Sequence, residues 1–481
     1  MIFLTRDCVG QGSSGVSKDK DIMAKTWVGI QIGAISFIDE GVEQVLDILE
    51  EKAGVNALLI SALSWSYGNA GRAPYGFPDH GVAEKDNLQG GAFFEPDPKF
   101  YEATHMKQFG APDPLYKGFD TFRDVIPAAK KRGMKVYPYY CETSNSGIRS
   151  IWQPGFAHFL DRDHWGRAAS RPSMMNPQYR TWWRSVISDW FSNHELTGML
   201  WGIERHSPLM DIFRGDGSTG FDEFYKAEAR ARGIDVQRAM QGYQQIDLFL
   251  QGVRKGERPR DGVFVTLLRH LLHSPEVLMW EKMWLDSHQD MYHEISGLIR
   301  FFNPKNEVGF GVWQVINTYN PYAKAQYDQT EYAQYADWFK PVLYHTPAGA
   351  RFANFAESWH KGVLADATPD GAYNALATIL NLNEYISPRS EAPMAGFKAE
   401  YVRDWTANLV ADTGKKVYSG IGVGVGDGGK SKEITPEEIR DGVHAAFEGG
   451  ASGVLLSRNY SEAELRNLEA VGEVLKARDL W

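Results

Sequence analysis

Eight short apolar runs are spaced along this chain of 481 residues, and between them the apolar spacing switches from strand-like to helix-like. The runs are Trp27 to Phe37, Asn56 to Trp65, Met134 to Cys141, Gly198 to Ile203, Val308 to Ile316, Trp338 to Tyr344, Lys416 to Val423 and Ser452 to Leu456. Helical stripes separate them. Val42, Val45, Leu46 and Leu49 share one face of Glu40 to Glu51, and Phe122, Val125, Ile126 and Ala129 share one of Thr121 to Arg132. Pro127 within that second stripe predicts a kink or a later helix start. Local caps mark other starts. Asn176-Pro177 opens one helix, Thr435-Pro436-Glu437-Glu438 a second, and Ser461 with Glu464 the last.

Eight strands alternating with helices predict an α/β chain folded as one (β/α)8 barrel over residues 27–481, with residues 1–26 as a flexible tail. A doubly wound dinucleotide fold is disfavoured, since no G-x-G-x-x-G follows the first run. Gly422, Gly424 and Gly426 alternate without matching that fingerprint. Two long connections are expected. Residues 68–118 follow strand two, and a mainly helical insertion of about 209–306 follows strand four. Long loops at strand C-termini build substrate sites in such barrels.

Composition narrows the partners. The formal net charge is −10, and the longest basic cluster, Lys130-Lys131-Arg132, reads as a helix end, so a nucleic-acid partner is not expected. No run of about 18 apolar residues predicts a membrane span. The first 26 residues lack the apolar core of a secretory signal, which points to the cytoplasm, or to export if a leader was removed. Cys8 and Cys141 form no disulfide framework or metal spacing. Fifteen Trp in a chain that is 13% aromatic leave rings enough both for a core and for stacking on sugar faces. No cofactor is expected, and a homo-oligomer is compatible with the sequence.

In a barrel, polar residues at strand ends fall on the active face. Glu204 follows the apolar run GMLWGI directly and is the leading catalytic candidate, because a carboxyl at an apolar mouth suits general acid chemistry. Arg205 beside it could instead hold it in a structural pair. Glu142, ending strand three, is a possible partner, and so is Asp427 after strand seven. Glu142 could equally be satisfied by backbone amides or Arg149. His206 and His345 each follow a strand and could contact ligand, shuttle protons or, with Glu142 and Glu204, hold a metal. Trp65, Tyr140, Trp201, Trp313, Gln314, Tyr344 and Arg458 complete the substrate-binding set. No nucleophile elbow, P-loop or H-E-x-x-H occurs.

The stretch Asn176-Pro177-Gln178-Tyr179-Arg180, followed by Leu196-Thr197-Gly198-Met199-Leu200-Trp201-Gly202-Ile203-Glu204, resembles the glycoside-hydrolase-like TIM barrels, as does Ala336 to His345. In that family an NP-x-Y-R helix precedes a strand four ending in an acid. The resemblance implies a carbohydrate substrate and a catalytic acid at Glu204. Thr197 departs from the family's acid before the glycine, and no acid precedes Asp427 on strand seven. Inverting hydrolysis, with Glu204 and either Glu142 or Asp427 flanking a water, is the mechanism these residues imply. A metal-dependent sugar isomerase, epimerase or lyase, and a non-catalytic carbohydrate-binding barrel, are the alternatives.

Overall fold

The computed structural model describes residues 25–64, 79–81, 91–106, 118–143, 155–425 and 430–481. Eight parallel strands close into a barrel in sequence order. They are β1 (Trp27–Gly33), β2 (Ala57–Ser61), β3 (Lys135–Thr143), β4 (Gly198–Glu204), β5 (Glu307–Val312), β6 (Trp338–Pro341), β7 (Lys416–Gly422) and β8 (Gly453–Ser457). Gly29 of β1 pairs with Ala57 of β2 on one side and Leu455 of β8 on the other, which completes the ring. The fold is the expected (β/α)8 barrel.

Helices clad it: α1 (Val42–Ala53), α2 (Thr121–Lys131) and α3 (Pro177–Asn193). Between β4 and β5 run α4 (Pro208–Arg214), α5 (Glu223–Ala231), α6 (Val236–Arg254), α7 (Val263–His273) and α8 (Glu276–Phe302). Then come α9 (His345–His360), α10 (Glu400–Thr413), α11 (Pro436–Glu448) and α12 (Leu465–Ala477). No helix among the described residues is long and apolar enough to cross a membrane.

Two separate cores follow from the period of two along each strand. One set of alternating residues packs outward against the helices. The other fills the barrel: Trp27, Leu59, Tyr137, Leu200, Trp338, Tyr418 and Leu455 form a closed interior cluster. Trp27 stacks on Tyr418 with centroids 3.8 Å apart, and Tyr137 meets Trp338 edge-on at 5.9 Å. Gly29 and Gly309 are required there, since a Cβ would lie 2.3 Å from the Trp27 and Trp338 rings respectively.

Several element ends differ from the sequence reading. β1 stops at Gly33, and Ala34–Glu40 is a short helix that buries Ile35 and Phe37 just as a longer strand would. β5 likewise ends at Val312, before a helical turn at Val315–Tyr319. Helix α2 starts at Thr121 despite Pro127, because Asp120 accepts the amides of Phe122 and Arg123 and the proline removes only one later hydrogen bond. Asn176 and Thr435 cap α3 and α11 as their sequences imply. Ser461 does not cap α12; the Leu465 amide donates to Asp79, far away in sequence.

Candidate active site

Glu204 is the last residue of β4 and is half-buried. Leu200 belongs to the barrel interior, so Gly202 and Glu204 follow it on the same face by the strand's period of two. β5 repeats the pattern. Gly309 lies against the interior Trp338 ring, so Gly311 faces inward as well, and Trp313 directly follows the strand's last residue. Ile203 pairs with Val312, which makes Trp313 the neighbour of Glu204 one step on. Beneath the two, a Cβ on Gly311 would lie 3.3 Å from Gly202 Cα. The mouth at β4 and β5 thus has a small-residue floor, a carboxyl group and an indole.

His206 sits beside this pair, stacked on Trp313 at 4.9 Å and 27°. Its Nε2 is 3.1 Å from Arg214 Nη1, and a guanidinium can only donate, so Nε2 accepts. The proton therefore sits on Nδ1 and is donated to Asp211 Oδ1, 3.1 Å away. Burial also holds the imidazole below its ordinary pKa, which keeps it neutral. Asp211 is fully buried and accepts from Arg171 Nη1 at 2.6 Å through its other oxygen. Arg214 in turn pairs with Asp216 at 3.0 Å. Arg171, His206, Arg214, Asp216, Ser218 and Trp313 line a cavity of about 600 Å³. That is room for a sugar-sized ligand, with hydrogen-bonding groups on the walls and an aromatic face at one side.

A hairpin in the β3–α3 connection, Leu160–Arg162 with Ala168–Pro172, supplies one wall. It is locked onto the end of β4. Arg205 is 1% exposed and donates to the Pro172 carbonyl. Asp161 accepts amides of Gly220, Phe221 and Asp222. Burial, and then the Asp222 carboxylate, push Asp161 up to about 7, while Arg205 opposes the shift.

The remaining predicted residues divide by location. Tyr140 and Trp201 face the helices. They pack on each other and on Trp183 at 4.4–5.3 Å, so burial makes them core rather than sugar platforms. Gln314 is 1% exposed; its amide donates to the Tyr344 carbonyl and accepts from Arg351, tying β5 to β6. Tyr344 is buried, and its hydroxyl accepts from Lys340 Nζ at 3.2 Å. Lys340 follows Trp338 on the inward face of β6 and was not anticipated from the sequence. His345 opens α9 with Nε2 3.3 Å from Glu438 Oε2 in the first turn of α11, and Gly442 leaves space for its ring. That contact and Lys432 hold Glu438 down at about 2. Arg458 grips Glu462 through two bonds of 2.9 Å. Glu142 pairs through its backbone with Ile203, and its side chain lies outside the described residues, as do Trp65 and Asp427.

The structure does not bring His206 and His345 into one ligand set: one is bound into the β4 network, the other into the α9–α11 contact. Ligand atoms of His206, Asp211 and Asp216 do lie within 4.8 Å of one another. Arg171 and Arg214 already occupy their acceptor positions, so a cation there would have to displace two guanidinium groups. Arg171, Asp211 and Arg214 were missed by the sequence reading. The only signal for Asp211 and Arg214 was their position on the first helix after strand four, and Arg171 arrives from a different connection.

No family model and no curated protein matches the chain. Solved structures do. A β-galactosidase from the Antarctic haloarchaeon Halorubrum lacusprofundi aligns over 94% of this chain with TM-score 0.51 and 14% identity. A β-galactosidase from the psychrophilic Marinomonas ef1 aligns over 94% with TM-score 0.50 and 11% identity. The chain spans 57% and 60% of those two proteins. The PgaB (BpsB) glycoside hydrolase domain from Bordetella bronchiseptica aligns over 95% of this chain and 97% of its own length, with TM-score 0.45 and 12% identity. The chain thus shares its fold with the two β-galactosidases.

Proposed function

We propose that the chain is a glycoside hydrolase acting on an oligosaccharide or a simple glycoside, with Glu204 as general acid or base at the C-terminal mouth of the barrel. The observation that carries this reading is the juxtaposition of Glu204 and Trp313. A carboxyl group stands on the inward face of β4, next to an indole that borders a polar cavity. An indole face binds the CH groups of a sugar ring, and a neighbouring carboxyl can protonate the glycosidic oxygen or activate water. Arg171 and Arg214 put guanidinium donors on one wall, and the bonds of Arg171 and His206 to Asp211 and of Arg214 to His206 fix that wall before a ligand arrives. Glu142 and Asp427 are the candidates for the second carboxyl, and their separation from Glu204 sets the stereochemistry. Roughly 5–5.5 Å goes with retention and roughly 6.5–9.5 Å with inversion.

The metal-dependent alternative is less well supported, since His345 is engaged by Glu438 and the acceptors around His206 are held by arginines. A panel of aryl glycosides, β-galactosides among them, separates the remaining readings. Wild-type turnover with a roughly 10²–10⁴-fold lower kcat in Glu204→Gln is expected. Equal rates in the two proteins would remove Glu204 from the chemistry. Sugar binding without turnover on any substrate would favour a non-catalytic barrel.

A further inference from the structure

Helix α7, in the insertion between β4 and β5, reads VFVTLLRHLLH and has a surface for which the catalytic site has no use. Val263 and Leu267 are buried, with Val263 packed beside Val253 of α6 and Ala365. Beside that stripe Phe264, Val265, Leu268 and Leu272 are 50%, 50%, 42% and 79% exposed. At about 100° per residue these four fall within an arc of about 100°, and no charged residue of the helix lies inside it. The apolar face of α7 is thus about 200° wide, and the protein covers only part of it.

The helices before and after α7 in the chain also carry exposed apolar residues, Leu248 of α6 and Leu278 and Met279 in the first turn of α8. Of 13 large exposed hydrophobic residues among those described, seven fall between residues 248 and 279, so this is not the ordinary scatter of surface leucines. Their summed uncovered area is on the order of 600 Å², as large as the largest apolar patches of monomer surfaces, which are often functional.

We infer that this face is an interface between two copies of the chain, with α7 packed across α7 of the second copy about a two-fold axis. A stripe without charge can face itself without like-charge repulsion, as an isologous contact requires. Arg269 lies outside the arc and is neutralised by Asp261 at 2.8 Å. With a polar rim added, the apolar area approaches the roughly 800 Å² per partner of a standard stable interface. The contact involves neither Glu204 nor Trp313, so it stands whether or not the chain hydrolyses glycosides.

Sedimentation velocity on the full chain tests it. The wild type is expected at twice the 54.1 kDa chain mass at micromolar concentration. Leu268→Glu and Leu272→Glu should each weaken association by at least about 100-fold, because a two-fold contact counts every substitution twice. Leu272→Met should stay dimeric. Melting curves like that of the wild type establish that the Glu variants are folded. A wild type that is monomeric at tens of micromolar, or an oligomer that survives both Glu substitutions, overturns the proposal.

Discussion

At the N-terminal end of the barrel Trp27, Tyr137, Trp338 and Tyr418 fill the interior with packed rings, whereas further along the strands the inward positions change character. β1 continues with Gln31, β6 with Lys340 and β7 with Gly420, while β4 and β5 present Gly202 and Gly311 below Glu204 and Trp313. The same strands therefore do two jobs on one face. Rings near their starts seal the barrel and hold it together. Small and polar residues near their ends leave a mouth where chemistry can occur. Stability and function are separated by only a few residues along each strand, so substitutions at the two levels should have different signatures.

Truncating the plug is the harshest way to challenge that separation. Trp338→Ala should cost about 4 kcal/mol of stability, read from denaturant melts, with turnover per folded molecule unchanged. A loss of turnover without a loss of stability would mean that the two levels are not independent. Asp211→Asn sharpens the contrast at the mouth. It leaves the buried Arg171 without its counter-charge and should cost about 3 kcal/mol, and it should also lower kcat because one amide oxygen cannot accept from both Arg171 and His206, so the imidazole is no longer held.

Glu438→Gln probes a site at the rim that is structural rather than catalytic, and its effect should be smaller. The folded carboxyl sits at about 2 against an ordinary 4.5, lowered first by His345 and then by Lys432. A depressed carboxylate stabilises the fold fully above the unfolded value and loses that contribution as pH falls through the folded one. The variant should thus be about 2 kcal/mol less stable than wild type at pH 7. The gap should close between about pH 4.5 and about pH 2, with activity little altered. An unchanging gap across that window would detach His345 from the role assigned to it.

The barrel was legible in the sequence because its eight apolar runs and their helices are local patterns. Where the runs end was less legible. Ala34 to Phe37 is apolar enough to continue a strand, and the short helix there buries the same side chains. Caps formed by neighbours in sequence, at Asn176 and Thr435, could be read directly; the cap on α12, from Asp79, could not. Trp201 is an odd number of steps from Glu204, so the two point to opposite faces of β4. The wall of the cavity was illegible for a different reason. Arg171 and Asp211 sit 40 residues apart on separate connections, and only the closed barrel brings them within 2.6 Å.

The most direct test of the claim that the mouth at β4 and β5 is the working site is a crystal structure of Glu204→Gln soaked with a glycoside that the wild type cleaves. A sugar ring is expected on the Trp313 face, with the glycosidic oxygen within hydrogen-bonding reach of the residue at position 204. A sugar bound at any other part of the barrel, with Trp313 uncovered, would contradict it.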